Sequence, residues 1–426
     1  MAAKTASRTF SKRTVGLGLV IVVLVGLTAR EMMSGSAPET SEDGGLVIGT
    51  LFPITGDLAS FGPTLTAAAR LAAEDINAAG GVLGAEVTVY EADSGDLSQD
   101  VANPEVDRLL ALGVDAIVGA ASSAVSKLVI DKITGAGVIQ FAPSNTSPDF
   151  TTYPDNGLYF RTAPPDLLLS EMTAQLMASE GVETIGVIYR QESYGTGLAV
   201  AFRDSFGALG GVVDPFIAYA PGADSFDAEV DLLVAADPDA VFVIGFEEAA
   251  ALVTTMHERG IGPTSDTIVH GTAGHIASIG AAVSDPSILT GMRGAENSVD
   301  LRTISHFTDR LETAYEGGVH GIYGYGAETY DALIITALAA EAAGSTDPTL
   351  IARQINDVTR TGVKCRSFAQ CRDLIAAGED PDYLGIGGDY EFVDVGEPSV
   401  ANYRILTYSG DSRPDQSLDE YITYGR

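Results

Sequence analysis

Four small hydroxyl residues stand where strand patterns end in the first half of the chain. Ser122 and Ser123 lie in GAASSAVS, between a strand and a helix, and Ser144 and Thr146 lie in FAPSNTSPDF, after the next strand. A helix N-terminus carries partial positive charge and N–H groups without acceptors, which suits a carboxylate. These residues therefore predict a site for a small acid. Plain helix capping explains Ser122 equally well, and ordinary loop chemistry is the rival explanation for Ser144 and Thr146.

Aromatic and acidic residues stand at strand ends in a second α/β unit, further along the chain. Tyr194, in YRQESYGTGLA, falls at a strand–helix junction, where it could stack on a ligand, hydrogen-bond to it or pack in the core. Phe246, Glu247 and Glu248 follow the strand of IGFEEAA. Both units thus offer side chains at the edge where parallel sheets hold ligands.

Signals for catalysis are weak. There are five histidines, and the chain contains neither HExxH nor GxSxG. GYGAET at 324–329 is an incomplete dinucleotide motif without a clear preceding strand, so we expect a helix start there. The turn at 53–62 matches no phosphate-binding loop. We expect no enzyme activity, no metal and no cofactor, and the lack of tryptophan disfavours a sugar ligand.

The charge of the chain argues against nucleic acids and anionic membranes as partners. Its formal net charge is −34, and the first 29 residues carry four basic side chains and no acid, so the remainder carries −38. Nucleic-acid binding needs a basic surface, and an acidic body is repelled by anionic lipid. The acidity favours a soluble surface over recruitment of a cationic partner.

The N-terminus predicts export. Basic residues precede the apolar run VGLGLVIVVLVGLTA, which is typical of a signal peptide and short for a membrane-spanning helix. We interpret 1–37 as a signal peptide or an uncleaved membrane anchor and 38–45 as a flexible linker. No cysteine follows the run, so a lipid anchor is not indicated. In an exported protein the two cysteines, Cys365 and Cys371, are expected to form a disulfide.

The chain contains two successive series in which strand patterns alternate with helix patterns. This arrangement indicates two doubly wound α/β lobes with a ligand cleft between them. Two long helices follow, and the chain ends in two β-like runs, GDYEFVDVGEP and NYRILTY. We expect 46–162 with 293–385 to form the first lobe and 163–292 with 386–426 the second. The chain would then cross between lobes near 162, 292 and 386, as in hinge-closing binding proteins.

An ordered set of segments from about 46 to about 410 resembles the type I periplasmic binding proteins of the leucine/isoleucine/valine-binding family, which serve branched-chain amino-acid ABC transporters. The segments are PITGDLASFG, LAAEDINAAGGVLG, VDAIVGAASSAVS, FAPSNTSPDF, YFRTAPPD, YGTGLA and YDALIITALAAEAAGS. The segment containing Cys365 and Cys371 also resembles a short loop of such proteins. The resemblance implies two Rossmann-like lobes joined by three crossings.

The resemblance also implies roles for particular residues. Ser123, Ser144 and Thr146 would hold an amino-acid carboxylate, while Phe61 and Tyr194 would line the cleft with the backbone of Thr55–Gly56 close by. The family's leucine binders place an acid where this chain has Thr272 or Ala273. Glu247 or Glu248 would have to replace it as the partner of a ligand ammonium, or the ligand would be another carboxylate, an amide or a urea-like compound.

The sequence therefore predicts a monomeric extracytoplasmic binding protein, secreted or tethered, which closes around a small polar ligand and delivers it to an ABC-transporter permease. A ligand sensor that signals instead of feeding a permease is the first alternative. An exported hydrolase that uses acids of the cleft is the second.

Overall fold

The computed structural model describes residues 44–425. The predicted signal peptide or anchor, and all but the last two residues of the predicted linker, lie outside this range. Within it, no helix is both long enough and apolar enough to cross a membrane.

The first sheet has five parallel strands in the order β2-β1-β3-β4-β5. Its inner strands are short apolar runs buried on both faces, as parallel strands between two helix layers must be. The strands are β1 (Val47–Phe52), β2 (Thr88–Asp93), β3 (Ala116–Gly119), β4 (Ile139–Ala142) and β5 (Tyr159–Arg161). The helices of this lobe are α1 (Gly62–Ala78), α2 (Ala102–Ala111), α3 (Ser123–Gly135), α9 (Ser305–Ala314), α10 (Gly326–Ala343), α11 (Pro348–Ile355) and α12 (Phe368–Ala376).

The second sheet has seven strands in the order β14-β13-β10-β9-β8-β6-β7. The strands are β6 (Thr184–Arg190), β7 (Val212–Tyr219), β8 (Ala240–Ile244), β9 (Ile268–Thr272), β10 (Arg293–Asn297), β13 (Val400–Thr407) and β14 (Glu420–Gly425). β13 runs antiparallel to both of its neighbours, β10 and β14, and the other pairings in this sheet are parallel. The helices of this lobe are α4 (Asp166–Ser179), α5 (Ser193–Ala208), α6 (Asp227–Ala236), α7 (Ala249–Glu258) and α8 (Ile279–Ala282). The predicted α/β class with two doubly wound lobes is confirmed.

Two of the predicted crossings are misplaced. β10 pairs with β9 and β13, so the chain stays in the second lobe through Asn297 instead of leaving it near 292. The run GDYEFVDVGEP was expected to return to the second lobe. Instead Tyr390 and Phe392 pack in the core of the first lobe, where Phe392 lies 6.3 Å from Phe141 between ring centroids. The last crossing therefore falls just before β13 and not near 386.

The predicted disulfide is present. It joins Cys365, in the short strand β11 (Val363–Cys365), to Cys371 in α12. β11 pairs with β12 (Pro381–Tyr383), and both sulfurs are buried in the core of the first lobe. The bond thus fastens β11 to the helix that connects it to its parallel partner β12.

Removal of this disulfide is expected to lower stability without changing ligand affinity. In the variant Cys365→Ala/Cys371→Ala the free energy of unfolding should fall by about 2 kcal/mol, as the chain-entropy model gives for a short loop. Urea unfolding of the ligand-free protein measures this loss. Ligand affinity should stay the same because neither cysteine lines the cavity described below, and a changed affinity would show that the segment acts on the site.

Candidate functional site

Loops at the carboxyl ends of strands in both sheets meet around one cavity. The space between its walls amounts to about 410 Å³, a volume that includes space open to solvent. The first lobe contributes Leu58, Phe61, Leu65, Ala121, Ser122, Ser123, Ser144, Thr146 and Tyr325, and the second contributes Tyr194, Phe246 and Gly274. The cavity is therefore closed by side chains from two lobes, as the alternating sequence pattern predicts.

Seven of the nine residues predicted for ligand binding line this cavity: Phe61, Ser122, Ser123, Ser144, Thr146, Tyr194 and Phe246. Glu247 and Thr272 do not. Thr55, whose backbone was expected nearby, is exposed and donates from its N–H and hydroxyl to Asp93 at 3.1 and 2.6 Å. Whether the seven bind a ligand stays a prediction, and the structure supplies their geometry.

One wall is polar and is built on the start of α3. The Ser122 side chain caps this helix by accepting from the Val125 N–H at 3.4 Å, so the capping role and a place in the cavity coexist. The first-turn amides of Ser123 and Ala124 have no acceptor within the helix. The Ser144 hydroxyl donates to the Ala121 carbonyl at 3.2 Å. This wall can donate several hydrogen bonds to an anionic oxygen.

Hydrogen bonds from Arg161 and Asn145 fix the position of the 144–147 loop. The guanidinium of Arg161, at the end of β5, donates to the carbonyls of Asn145 and Ser147 at 3.0 and 2.8 Å. The Asn145 amide donates to the Ala120 and Ala121 carbonyls at 2.9 Å. These bonds join the loops after β3 and β4, so the hydroxyls they present keep a fixed spacing.

The opposite walls are apolar and aromatic. Tyr194 and Phe246 stack with ring centroids 5.5 Å apart, and Phe61 and Tyr325 lie 6.2 Å apart. The Tyr194 hydroxyl donates to Thr272 Oγ1 at 2.8 Å. Thr272 therefore orients a cavity residue instead of facing the ligand space itself.

Neither predicted acid of the second lobe faces this cavity. Glu247 is exposed and lines a separate, wider cleft. The Glu248 carboxylate accepts from the Tyr219 hydroxyl at 2.9 Å and the Phe246 N–H at 3.2 Å, and it pairs with Arg190 at 3.1 Å. Its hydrogen-bonding capacity is thus used inside its own lobe.

An acid that the sequence analysis did not single out lies beside the cavity. Asp166, the first residue of α4, is fully buried, and neither of its carboxylate oxygens accepts a hydrogen bond from a described residue. Its backbone N–H donates to the Thr146 carbonyl at 2.7 Å. Burial raises the pKa of Tyr194 and Tyr325, both of which line the cavity, and the charge of Asp166 adds to the rise. An unpaired carboxylate thus stands next to the ligand space.

Burial dominates the titration of Asp166. It raises the pKa of the carboxyl to about 7, although the nearby Thr146 hydroxyl and the Arg161 charge lower it. A buried carboxylate without a partner is costly, and an incoming cation would relieve that cost. The signal for this residue was available in YFRTAPPD, since an acid directly after a strand and two prolines must fall at the ligand edge of the sheet.

Tyr325 is the second residue that the sequence analysis missed. It precedes α10, in the motif that predicted only a helix start, and its φ of 60° lies in the left-handed region that non-glycine residues rarely adopt. Such backbone conformations cluster at ligand sites, where surrounding contacts hold them. Here the conformation accompanies a ring that faces Phe61 across the cavity wall.

An acidic cluster elsewhere in the first lobe is occupied by the ammonium of a lysine. Asp382, Asp389 and Glu391 lie close enough together for a metal ion. The ammonium of Lys364 sits among them, at 2.9, 2.8 and 3.3 Å from their oxygens. A lysine in this position supplies the positive charge that a cation would bring.

A model of the periplasmic binding protein family matches residues 45–373. The chain belongs to this family, whose members are substrate-binding proteins and whose location is extracytoplasmic. Within it, the chain is similar to the type I proteins of the branched-chain amino-acid group, so the resemblance seen in the sequence is confirmed.

Individual relatives narrow the comparison. The Leu/Ile/Val-binding protein homolog 3 of Brucella melitensis is 30% identical over 221 residues, which cover 51% of this chain and 59% of that protein. The chemotactic signal transduction system substrate-binding protein BasB of Halobacterium salinarum is 26% identical over 399 residues, covering 89% of this chain and 91% of BasB. The substrate-binding protein LivJ of Streptococcus pneumoniae, solved with isoleucine, shares the fold with a TM-score of 0.72 at 19% identity, over 89% of this chain and 100% of LivJ.

Proposed function

We propose that the protein binds a free branched-chain L-amino acid between its lobes. The observation that carries this proposal is the buried, unpaired carboxylate of Asp166 beside a cavity whose polar wall is the start of α3. Asp166 would take the ligand ammonium, and Ser122, Ser123, Ser144 and Thr146 would take its carboxylate with the free amides of α3. The aromatic walls, with Leu58 and Leu65, would enclose an aliphatic side chain.

Binding would proceed by hinge closure. The three crossings, near Thr162, after Asn297 and before Val400, are the covalent links between the lobes, so a rotation about them would separate Ser122 and Ser123 from Tyr194 and Phe246. A ligand that contacts both sets of walls stabilises the closed form because only that form presents all of its contacts.

The ligand can be tested with compounds that each lack one group. L-Leucine, L-isoleucine or L-valine at 100 times its dissociation constant should stabilise the purified protein by about 2.7 kcal/mol, which a thermal-shift assay detects. 4-Methylpentanoate lacks the ammonium and leucinamide lacks the carboxylate, and both should give much smaller shifts. A full shift with 4-methylpentanoate would contradict the role of Asp166 and point to a simple carboxylate ligand.

We further propose that the closed form is recognised by an ABC-transporter permease, with residues 1–37 serving as signal peptide or anchor and the protein acting as a monomer. A specific observation also favours the sensing alternative, because the likeness to BasB extends over 89% of this chain. Permease and ATPase genes beside this one would support transport. A neighbouring transducer gene without them would support sensing.

A further inference from the structure

One ion pair joins the two lobes directly outside the cavity. Asp57 lies in the turn between β1 and α1 of the first lobe, and Arg190 ends β6 of the second. The guanidinium of Arg190 donates to the Asp57 carboxylate, and only 3% of the Arg190 side chain is exposed, against 37% of Asp57. We call Asp57 and Arg190 the interlobe pair.

Each member is held firmly by its own lobe. Arg190 pairs with Glu248 at 3.1 Å and lies 4.9 Å above the centroid of the Phe246 ring. The Asp57 N–H donates to Asp96 at 3.2 Å. The preceding Gly56 has a φ of 93°, and a Cβ there would lie 2.7 Å from the Asp96 carboxylate, so this turn requires glycine. Both charges are therefore placed before the lobes meet.

The pair is coupled to the ligand space through its neighbours. Asp57 precedes Leu58, and Phe246 beneath Arg190 lines the same cavity. A small second cavity, whose walls include Asp57, Leu58, Ser122, Arg190 and Phe246, adjoins the first. Burial raises the pKa of Asp57, and the charge of Arg190, which donates a hydrogen bond to this carboxylate, opposes that rise.

We propose that the interlobe pair is a closure latch, in which Asp57 and Arg190 are positioning residues that set ligand affinity without contacting the ligand. In an open form Asp57 would be hydrated and Arg190 would remain paired with Glu248. The Asp57–Arg190 bond would therefore stabilise only the closed form. Truncating one partner of such a pair acts mainly on the dissociation rate. The inference rests on the proposed function, since leucine is its probe.

The test compares the wild-type protein with Asp57→Asn by calorimetry and stopped-flow fluorescence with L-leucine. We expect about tenfold weaker binding, which corresponds to roughly 1.4 kcal/mol, carried by faster dissociation with an almost unchanged association rate. Asp57→Glu should restore much of the affinity because it restores the charge. Asp227→Asn is the matched control, since Asp227 pairs with Arg259 within the second lobe at an exposed site.

Circular dichroism establishes that each variant is folded before binding is measured. Equal leucine affinities for folded Asp57→Asn and wild type would overturn the latch while leaving the proposed function intact. If wild type binds no leucine, the proposed function fails separately. The latch is then tested by small-angle X-ray scattering of the ligand-free proteins at low salt, where Asp57→Asn should have the larger radius of gyration. Identical scattering would overturn it.

Discussion

Replacing Asp166 with asparagine is expected to weaken L-leucine binding about a thousandfold. Removal of one member of a buried, hydrogen-bonded charge pair costs about 2–5 kcal/mol, and a thousandfold change is roughly 4 kcal/mol. Asparagine keeps the shape of the side chain and cannot balance an ammonium charge. Isothermal titration calorimetry measures the loss, and affinity for 4-methylpentanoate should change little because that compound has no ammonium.

Asp115→Asn is the matched control. Asp115 is another acid of the first lobe whose pKa burial raises, to about 6, but its carboxylate accepts a hydrogen bond from the Val47 N–H at 2.9 Å, whereas that of Asp166 accepts none from a described residue. Leucine affinity should stay within a factor of about two. If the two variants lost affinity equally, the effect would come from stability and not from a ligand contact.

The carboxyl of Asp166 is also expected to make leucine affinity depend on pH. In the ligand-free protein its pKa is about 7, so at pH 6 it holds a proton that an incoming ammonium must displace. Leucine affinity should therefore fall as the pH drops below 7, and binding at pH 6 should release a proton, visible as a buffer-dependent calorimetric enthalpy. Asp166→Asn should abolish this buffer dependence.

The stability of the ligand-free fold depends on pH in the opposite direction to leucine affinity. Between its ordinary pKa of 3.8 and about 7, Asp166 binds a proton in the folded state and has lost it in the unfolded state. Its contribution therefore stabilises the ligand-free fold at low pH and is lost as the pH rises through that window. Affinity and ligand-free stability thus respond to pH in opposite directions, which separates a ligand contact from a general effect on folding.

The sequence was most informative where local patterns determine position. The hydroxyls after β3 and β4 could be placed because parallel strands end at one edge and their loops are short. Tyr194 and Phe246 followed from the same rule in the second lobe. The rule gives the edge but not the direction of each side chain, which is why Glu247 was predicted for the cavity and is exposed.

What the sequence could not supply depends on distant contacts. Asp166 is one of 58 acidic residues, and only its burial without a partner distinguishes it. Tyr325 reaches Phe61 from a helix start far along the chain. β10 and the run around Phe392 were assigned to the wrong lobe because their strand-like patterns do not reveal which core buries them.

Glu397 is a further case of a distant contact, and its replacement is expected to have the largest effect on stability. Its carboxylate accepts from Nε of Arg161 at 3.0 Å and from the Thr151 hydroxyl at 3.0 Å, and the two charged side chains are only 9% and 1% exposed. Glu397→Ala leaves a buried guanidinium unpaired, so the free energy of unfolding should fall by about 3–5 kcal/mol. Urea unfolding measures the change.

Asp394→Ala provides the comparison, because Asp394 pairs with Arg360 at 2.9 Å but is 94% exposed, and such pairs contribute at most about 1 kcal/mol. A loss for Glu397→Ala no larger than that of Asp394→Ala would contradict a buried structural role for the Arg161–Glu397 pair.

The double variant Arg161→Met/Glu397→Ala separates stability from binding. Removing both charges relieves the unpaired guanidinium, so part of the lost stability should return relative to Glu397→Ala. Leucine affinity should not return, because methionine cannot donate to the carbonyls of Asn145 and Ser147 that fix the loop carrying Ser144 and Thr146. If affinity recovered together with stability, the position of this loop would not depend on Arg161, and the hydroxyls would have to be held by the Asn145 amide alone.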